Sequence, residues 1–154
     1  MNRKLLLLFL LMGMNLLGCS KGNMLEEKPP NALIKINNDM YETTLGTYCW
    51  NGKGVSTCVD TAGPIELLEG KKPIKVKPGE KITFVMEYDP KPNEYYVVQI
   101  HGNEEHAIEV IDYSFSAPAE KGVYYYSFGV WWMDEKVEHL SHGDAFYAFA
   151  LEID

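Results

Sequence analysis

The chain has 154 residues, 46% of them hydrophobic and 23% charged, enough to bury one real core and too few for two large lobes. Its formal charge of −8 repels nucleic acid and anionic headgroups, so nucleic-acid binding and electrostatic membrane binding are excluded as leading functions. Three cysteines, an odd number, suggest that one of them has a separate fate.

The N-terminus supplies that fate. Asn2, Arg3 and Lys4 precede an apolar run from Leu5 to Leu17, broken only by Gly13 and Asn15, and Gly18-Cys19-Ser20 follows. The run is shorter than the about 20 apolar residues a spanning helix needs, and it has the layout of a secretory signal. Leu16-Leu17-Gly18-Cys19 resembles the lipobox of bacterial lipoproteins. That resemblance implies that residues 1–18 are removed, that Cys19 is lipidated, and that the chain is lipid-anchored at the extracytoplasmic face of the cell membrane. Loss of Arg3 and Lys4 would take the net charge from −8 to −10. Residues 19–31, polar with a double proline at Pro29-Pro30, are expected to form a flexible tether. At ~3.5 Å per residue such a tether reaches roughly 35–40 Å.

Residues 32–154 are expected to form one domain. Ala32 to Asn37 reads as a first strand, Asn38-Asp39 as a turn, and Met40 to Trp50 as a second strand. If Lys53-Gly54 is a two-residue hairpin turn, counting outward pairs Gly52 with Val55, Asn51 with Ser56, Trp50 with Thr57 and Cys49 with Cys58. The cysteines then fall in an open pair, where Cα atoms approach to about 4.5 Å, within disulfide range. Export would supply the oxidising compartment for a Cys49–Cys58 bond. Val59 to Gly70 has no clear period and reads as a loop with one helical turn at Ile65 to Leu68.

Pro73 to Tyr88 gives a short strand, a Pro-Gly-Glu turn and a long strand with Ile82, Phe84, Met86 and Tyr88 on one face. Glu94 to His101 follows, with Tyr96, Val98 and Ile100 on one face, and Gly102 to Glu105 turns the chain again. Parity then slips: Ile108 and Val110 share one side, Ile111, Tyr113 and Phe115 the other, which predicts a bulge or a change of sheet near Val110. Gly122 to Trp132 is the strongest strand signal, with Tyr124, Tyr126, Phe128, Val130 and Trp132 on one face. After a charged loop from Met133 to Asp144, Ala145, Tyr147, Phe149, Leu151 and Ile153 alternate inward.

These short strands predict an all-β, antiparallel β-sandwich. The Pro73–Tyr88 pattern resembles the opening of immunoglobulin-like and fibronectin-like domains. Glu120-Lys121-Gly122-Val123-Tyr124-Tyr125-Tyr126 resembles their tyrosine corner, with Tyr124 in the corner role and Tyr126 where antibody domains place a cysteine. The resemblance covers about residues 73–154, leaving residues 32–68 as added N-terminal strands and hairpin. Taken whole, the chain resembles small lipoproteins of Gram-positive bacteria.

The chemistry is sparse. No Gly-x-Ser-x-Gly, Ser-x-x-Lys or Cys-x-x-Cys pattern occurs, so no catalytic residue and no cofactor is expected. His101 and His106 flank one turn, and His139 and His142 lie near Asp134, Glu135, Glu138 and Asp144, which sketches a metal site weighed against solvated loop residues. The clamped hairpin is the expected partner contact, with Tyr48 and Trp50 flanking Cys49 and Asn51 to Gly54, Lys53 among them, forming the tip, the alternative being that Trp50 is core. Of the adjacent Trp131 and Trp132, one must be core and the other lies under loops or forms a second contact surface. The expected function is a non-enzymatic binding module for an envelope protein or wall component. The alternatives are an extracytoplasmic protease inhibitor or a metal-binding envelope protein.

Overall fold

The computed structural model describes residues 26–154; the expected signal at 1–18, Cys19 and the tether up to 25 lie outside the described residues. In chain order the elements are β1 (Leu33–Ile36), β2 (Asp39–Glu42), β3 (Thr44–Gly52), β4 (Val55–Val59), α1 (Pro64–Leu67) and β5 (Ile74–Val76). There follow β6 (Lys81–Val85), β7 (Glu94–His101), β8 (Glu104–Ala107), β9 (Ser114–Ser116), β10 (Gly122–Met133) and β11 (Ser141–Ile153). One sheet has the order β2-β1-β6-β9, the other β4-β3-β11-β10-β7-β8 with β5 added against β11. The fold is all-β, two sheets over a main core, with a smaller buried cluster of Leu68, Ala148 and Ala150 beside it.

The core is built by period-two alternation. Tyr124, Tyr126, Phe128, Val130 and Trp132 of β10 are all buried, as are Ala145, Tyr147, Phe149, Leu151 and Ile153 of β11 beside them. Ile34 and Ile36 of β1, Ile82 and Phe84 of β6 and Phe115 of β9 close the core from the smaller sheet. Buried tyrosines keep their hydroxyls satisfied: Tyr126 donates to Gln99 Oε1 at 3.0 Å and Tyr147 to the Pro30 carbonyl at 2.6 Å. Burial pushes both phenols far above the ordinary tyrosine range.

The β3–β4 hairpin has the register counted from its turn, with Lys53 and Gly54 both at positive φ. Cys49 and Cys58 are disulfide-bonded with Cα atoms 4.1 Å apart. In the chain-entropy picture so small a ring contributes about 2–3 kcal/mol.

Four expectations need correction. The antiparallel scheme fails at β5, which runs parallel to β11, Ile74 opposite Leu151 and Val76 opposite Ile153. β10 follows one edge of β11 along its length, β3 takes the other edge from Gly143 to Ala148, and β5 occupies what β3 leaves free. The single strand from Met40 to Trp50 is two strands, because the chain changes sheet at Thr43, whose hydroxyl donates to the Ala32 carbonyl at 2.6 Å. The strand expected at 108–115 is reduced to β9, since residues 108–113 carry the chain from β8 in one sheet to β9 in the other, the change of sheet that the parity slip signals. The free tether does not extend to residue 31. Pro29 is fully buried, the Pro30 carbonyl accepts from Tyr147, the Glu26 carbonyl accepts from Trp50 Nε1 at 3.0 Å, and Glu27 pairs with Lys53 at 3.0 Å.

Candidate functional site

The expected hairpin contact does not survive as drawn. Trp50 is 1% exposed, its ring edge-on to Trp132 at 4.8 Å and to Tyr88 at 5.9 Å, so it is core and no partner reaches it. Tyr48 is half-buried and packs against the same core, Asn51 is bonded to Ser56, and Lys53 is exposed and paired with Glu27. The physical reason is that the docked N-terminal segment and Trp132 close over the inner face of this end of β3, covering Trp50 while the disulfide, β4 and the Lys53-Gly54 tip remain outside.

The histidines are dispersed among separate partners. His101 stacks on Tyr124 at 4.3 Å, His106 meets Glu104 at 3.2 Å, His139 meets Glu138 at 3.4 Å, and His142 Nε2 meets Asp134 Oδ2 at 2.8 Å. Among the described residues no three His, Cys, Asp or Glu side chains gather as a metal would require. Asp134 accepts from the N–H groups of Lys136 and Val137, both at 2.8 Å, and these bonds, with His142, hold its carboxyl below the usual range. This is a loop-closing turn.

Trp132 is the core member of the tryptophan pair, with Nε1 donating to the Pro90 carbonyl at 2.7 Å. Trp131 lies on the outer face of the larger sheet, folded over Gly129, where a Cβ would stand 2.9 Å from its ring. Beside it Tyr96 is 53% exposed, Phe146 sits over Gly46, and Asp144 is half-buried in a shallow groove of about 210 Å³. Burial pushes the Asp144 carboxyl up, partly offset by an N–H from Cys49. The folded state therefore holds this proton more tightly than the unfolded chain, and the group's contribution to stability falls as pH rises through the carboxylate range. Asp144→Asn is expected to raise Tm at pH 7 and leave it nearly unchanged at pH 3. Equal Tm shifts at both pH values, measured by calorimetry, would contradict this.

A second concavity is at one end of the sandwich, where the smaller sheet comes apart. β6 loses β9 beyond Thr83 and β1 beyond Val85, yet the chain runs on through Met86 and Tyr88 with its inward parity unchanged. Opposite, Asp112 and Tyr113 form a two-residue turn between Ile111 and Ser114, which exchange both backbone bonds at 2.9 Å. Both turn residues have positive φ, 51° and 56°, a conformation that favours Asn and Gly and is costly for a tyrosine. Tyr113 is held there by its ring, 4.9 Å from Tyr95, and by its hydroxyl, donating to the Pro92 carbonyl at 3.1 Å.

Between these two segments lies a cavity of about 730 Å³. Its floor is the Phe84–Phe128 stack, with ring centroids 3.9 Å apart and planes within 12°. Val85, Met86, Tyr88, Tyr113 and Pro92 wall it, and Glu87, Asp89, Lys91 and Asp112 are exposed around it. Size and lining suit a small organic ligand or an inserted side chain. The sequence reading missed this site. Its signal in the sequence is the alternation that persists through Met86 and Tyr88 into a proline-rich turn, a pattern that by itself predicts a longer paired strand.

Among the described residues no helix is long and apolar enough to cross a membrane. Comparison with protein-family models, curated proteins and solved structures finds no match to this chain.

Proposed function

We propose that the chain is an exported lipoprotein, held at the extracytoplasmic face of a membrane through Cys19, whose immunoglobulin-like sandwich is a non-enzymatic binding module with its ligand site in the end cavity. The anchor reading rests on the Leu16-Leu17-Gly18-Cys19 motif. The immunoglobulin-like reading is supported by the neighbour order β11-β10-β7-β8 facing β6-β9, and by Tyr124, whose hydroxyl donates to the Glu120 carbonyl at 3.0 Å as a tyrosine corner does.

The observation that carries the binding function is the cavity itself. A space of about 730 Å³ floored by core aromatics offers an apolar ligand far more contact than an open sheet face does. The test uses the chain reconstituted in phosphatidylcholine nanodiscs, with N-phenyl-1-naphthylamine as an apolar probe and hydrogen exchange read by mass spectrometry. Saturable protection of residues 83–92 and 110–115 is expected, and weakened in Met86→Trp, whose larger indole takes up part of the space. Protection spread evenly over the domain, or unchanged in Met86→Trp, would remove the cavity as the site.

A further inference from the structure

Resting on that cavity reading, we propose that the ligand is a cationic amphiphile: an apolar or aromatic body filling the space above Phe84 and Phe128, with an ammonium-type head at the acidic rim. Three observations converge. Glu87, Asp89 and Asp112 stand around the cavity against one base, Lys91, so the rim has an excess of negative charge. The interior presents Tyr88 and Tyr113, whose ring faces attract cations and repel anions. The whole chain is acidic, so its long-range field draws cations and turns anionic amphiphiles away.

Position adds a fourth argument. Tyr88 lies 5.9 Å from Trp50, and Trp50 bonds the Glu26 carbonyl, so the cavity is at the end from which the chain departs toward Cys19. At ~3.5 Å per residue the steps from Glu26 back to Cys19 reach at most roughly 25 Å. A lipid on Cys19 therefore keeps this end near the headgroups, where amphiphiles concentrate, while the same head and tail chemistry also admits a ligand from water.

The experiment compares three probes with one tail and different heads: hexyltrimethylammonium, hexanol and hexanoate. Each is titrated calorimetrically into nanodisc-held protein at physiological salt, with empty nanodiscs subtracted and hydrogen exchange locating the site. The ammonium is expected to bind about tenfold tighter than the alcohol, and the carboxylate weakest. Asp112→Asn, which suits the positive φ there, and Glu87→Gln should each weaken the ammonium several-fold and leave hexanol unchanged, whereas Lys91→Gln should tighten the ammonium. Dodecyltrimethylammonium preloaded into the nanodisc should protect the same segments if the bilayer supplies the ligand; protection by the hexyl probe alone assigns the source to water. Hexanol binding as tightly as the ammonium would overturn the ligand class and leave the cavity standing. No probe protecting residues 83–92 and 110–115 would overturn the cavity reading itself.

Discussion

Trp50→Ala is expected to lower the unfolding free energy by about 3–5 kcal/mol, a large part of the roughly 5–15 kcal/mol that holds an ordinary domain together. For a domain of this size that is a fall in Tm on the order of 10–20 °C. The ring is 1% exposed and does three things at once. It closes the end of the core against Trp132 and Tyr88, its Nε1 binds the incoming chain at the Glu26 carbonyl, and it covers Gly143, where a Cβ would stand 2.4 Å from the indole. Deleting it therefore leaves a hole and releases the N-terminal segment together. Trp50→Phe should recover most of the packing loss and none of the Glu26 bond, and Gly143→Ala should cost about 1–3 kcal/mol by overpacking from the other side. Urea unfolding of the set, with hydrogen exchange following residues 26–30, checks all three. A loss below 1 kcal/mol for Trp50→Ala would mean the indole is a surface ring after all.

How legible the fold was depended on whether each feature was local. The buried face of β10, the inward set of β11 and the limits of β7 follow from residues two apart, and they are where the sequence places them. The hairpin register and the Cys49–Cys58 bond follow from one turn, Lys53-Gly54, and a count outward. Changes of sheet were harder, because alternation gives parity and says nothing about which partner strand is present. In Met40 to Trp50 the core-facing residues change parity only between Leu45 and Tyr48, where β3 slips against β11, and nothing announces the switch at Thr43, while Met86 and Tyr88 keep their parity after both neighbours of β6 have left. The same limit explains Trp50: sequence gave it a face, and only the docking of Glu26 to Pro30 and the packing of Trp132 decide that this face is covered. The cavity was invisible for a related reason, being a gap between segments far apart in the chain. Its local traces are the alternation that persists through Met86 and Tyr88 and the parity break between Val110 and Ile111, just before the turn that carries Tyr113.

Phe128→Ala is the second large effect and ties stability to the site. Phe128 is 1% exposed and stacked on Phe84 at 3.9 Å, with Tyr95 at 6.5 Å and Tyr147 at 6.3 Å around it. Phe→Ala in a sealed core costs about 3–5 kcal/mol, the transfer of the ring plus the cavity it leaves. Here the ring also forms the floor of an existing cavity, so the new volume joins space that solvent already reaches. The expected loss is thus near the lower end, about 3 kcal/mol, because Met86 and Tyr88 are only partly buried and can lean inward. The deepened cavity should then accept a small apolar molecule where the parent has a wall. Benzene near saturation is expected to raise the Tm of Phe128→Ala by several degrees more than that of the parent, whose cavity is less deep, since a ligand stabilises a folded state by as much as it binds there. Ile82→Ala is the control, with a hole of similar chemistry at a fully buried position that the cavity does not line. If benzene rescued Ile82→Ala as well as Phe128→Ala, the rescue would be a general response of a damaged core. Rescue confined to Phe128→Ala would mean that removing one ring of the Phe84–Phe128 floor deepens the cavity, and that ring size at this position sets how deep a ligand can go.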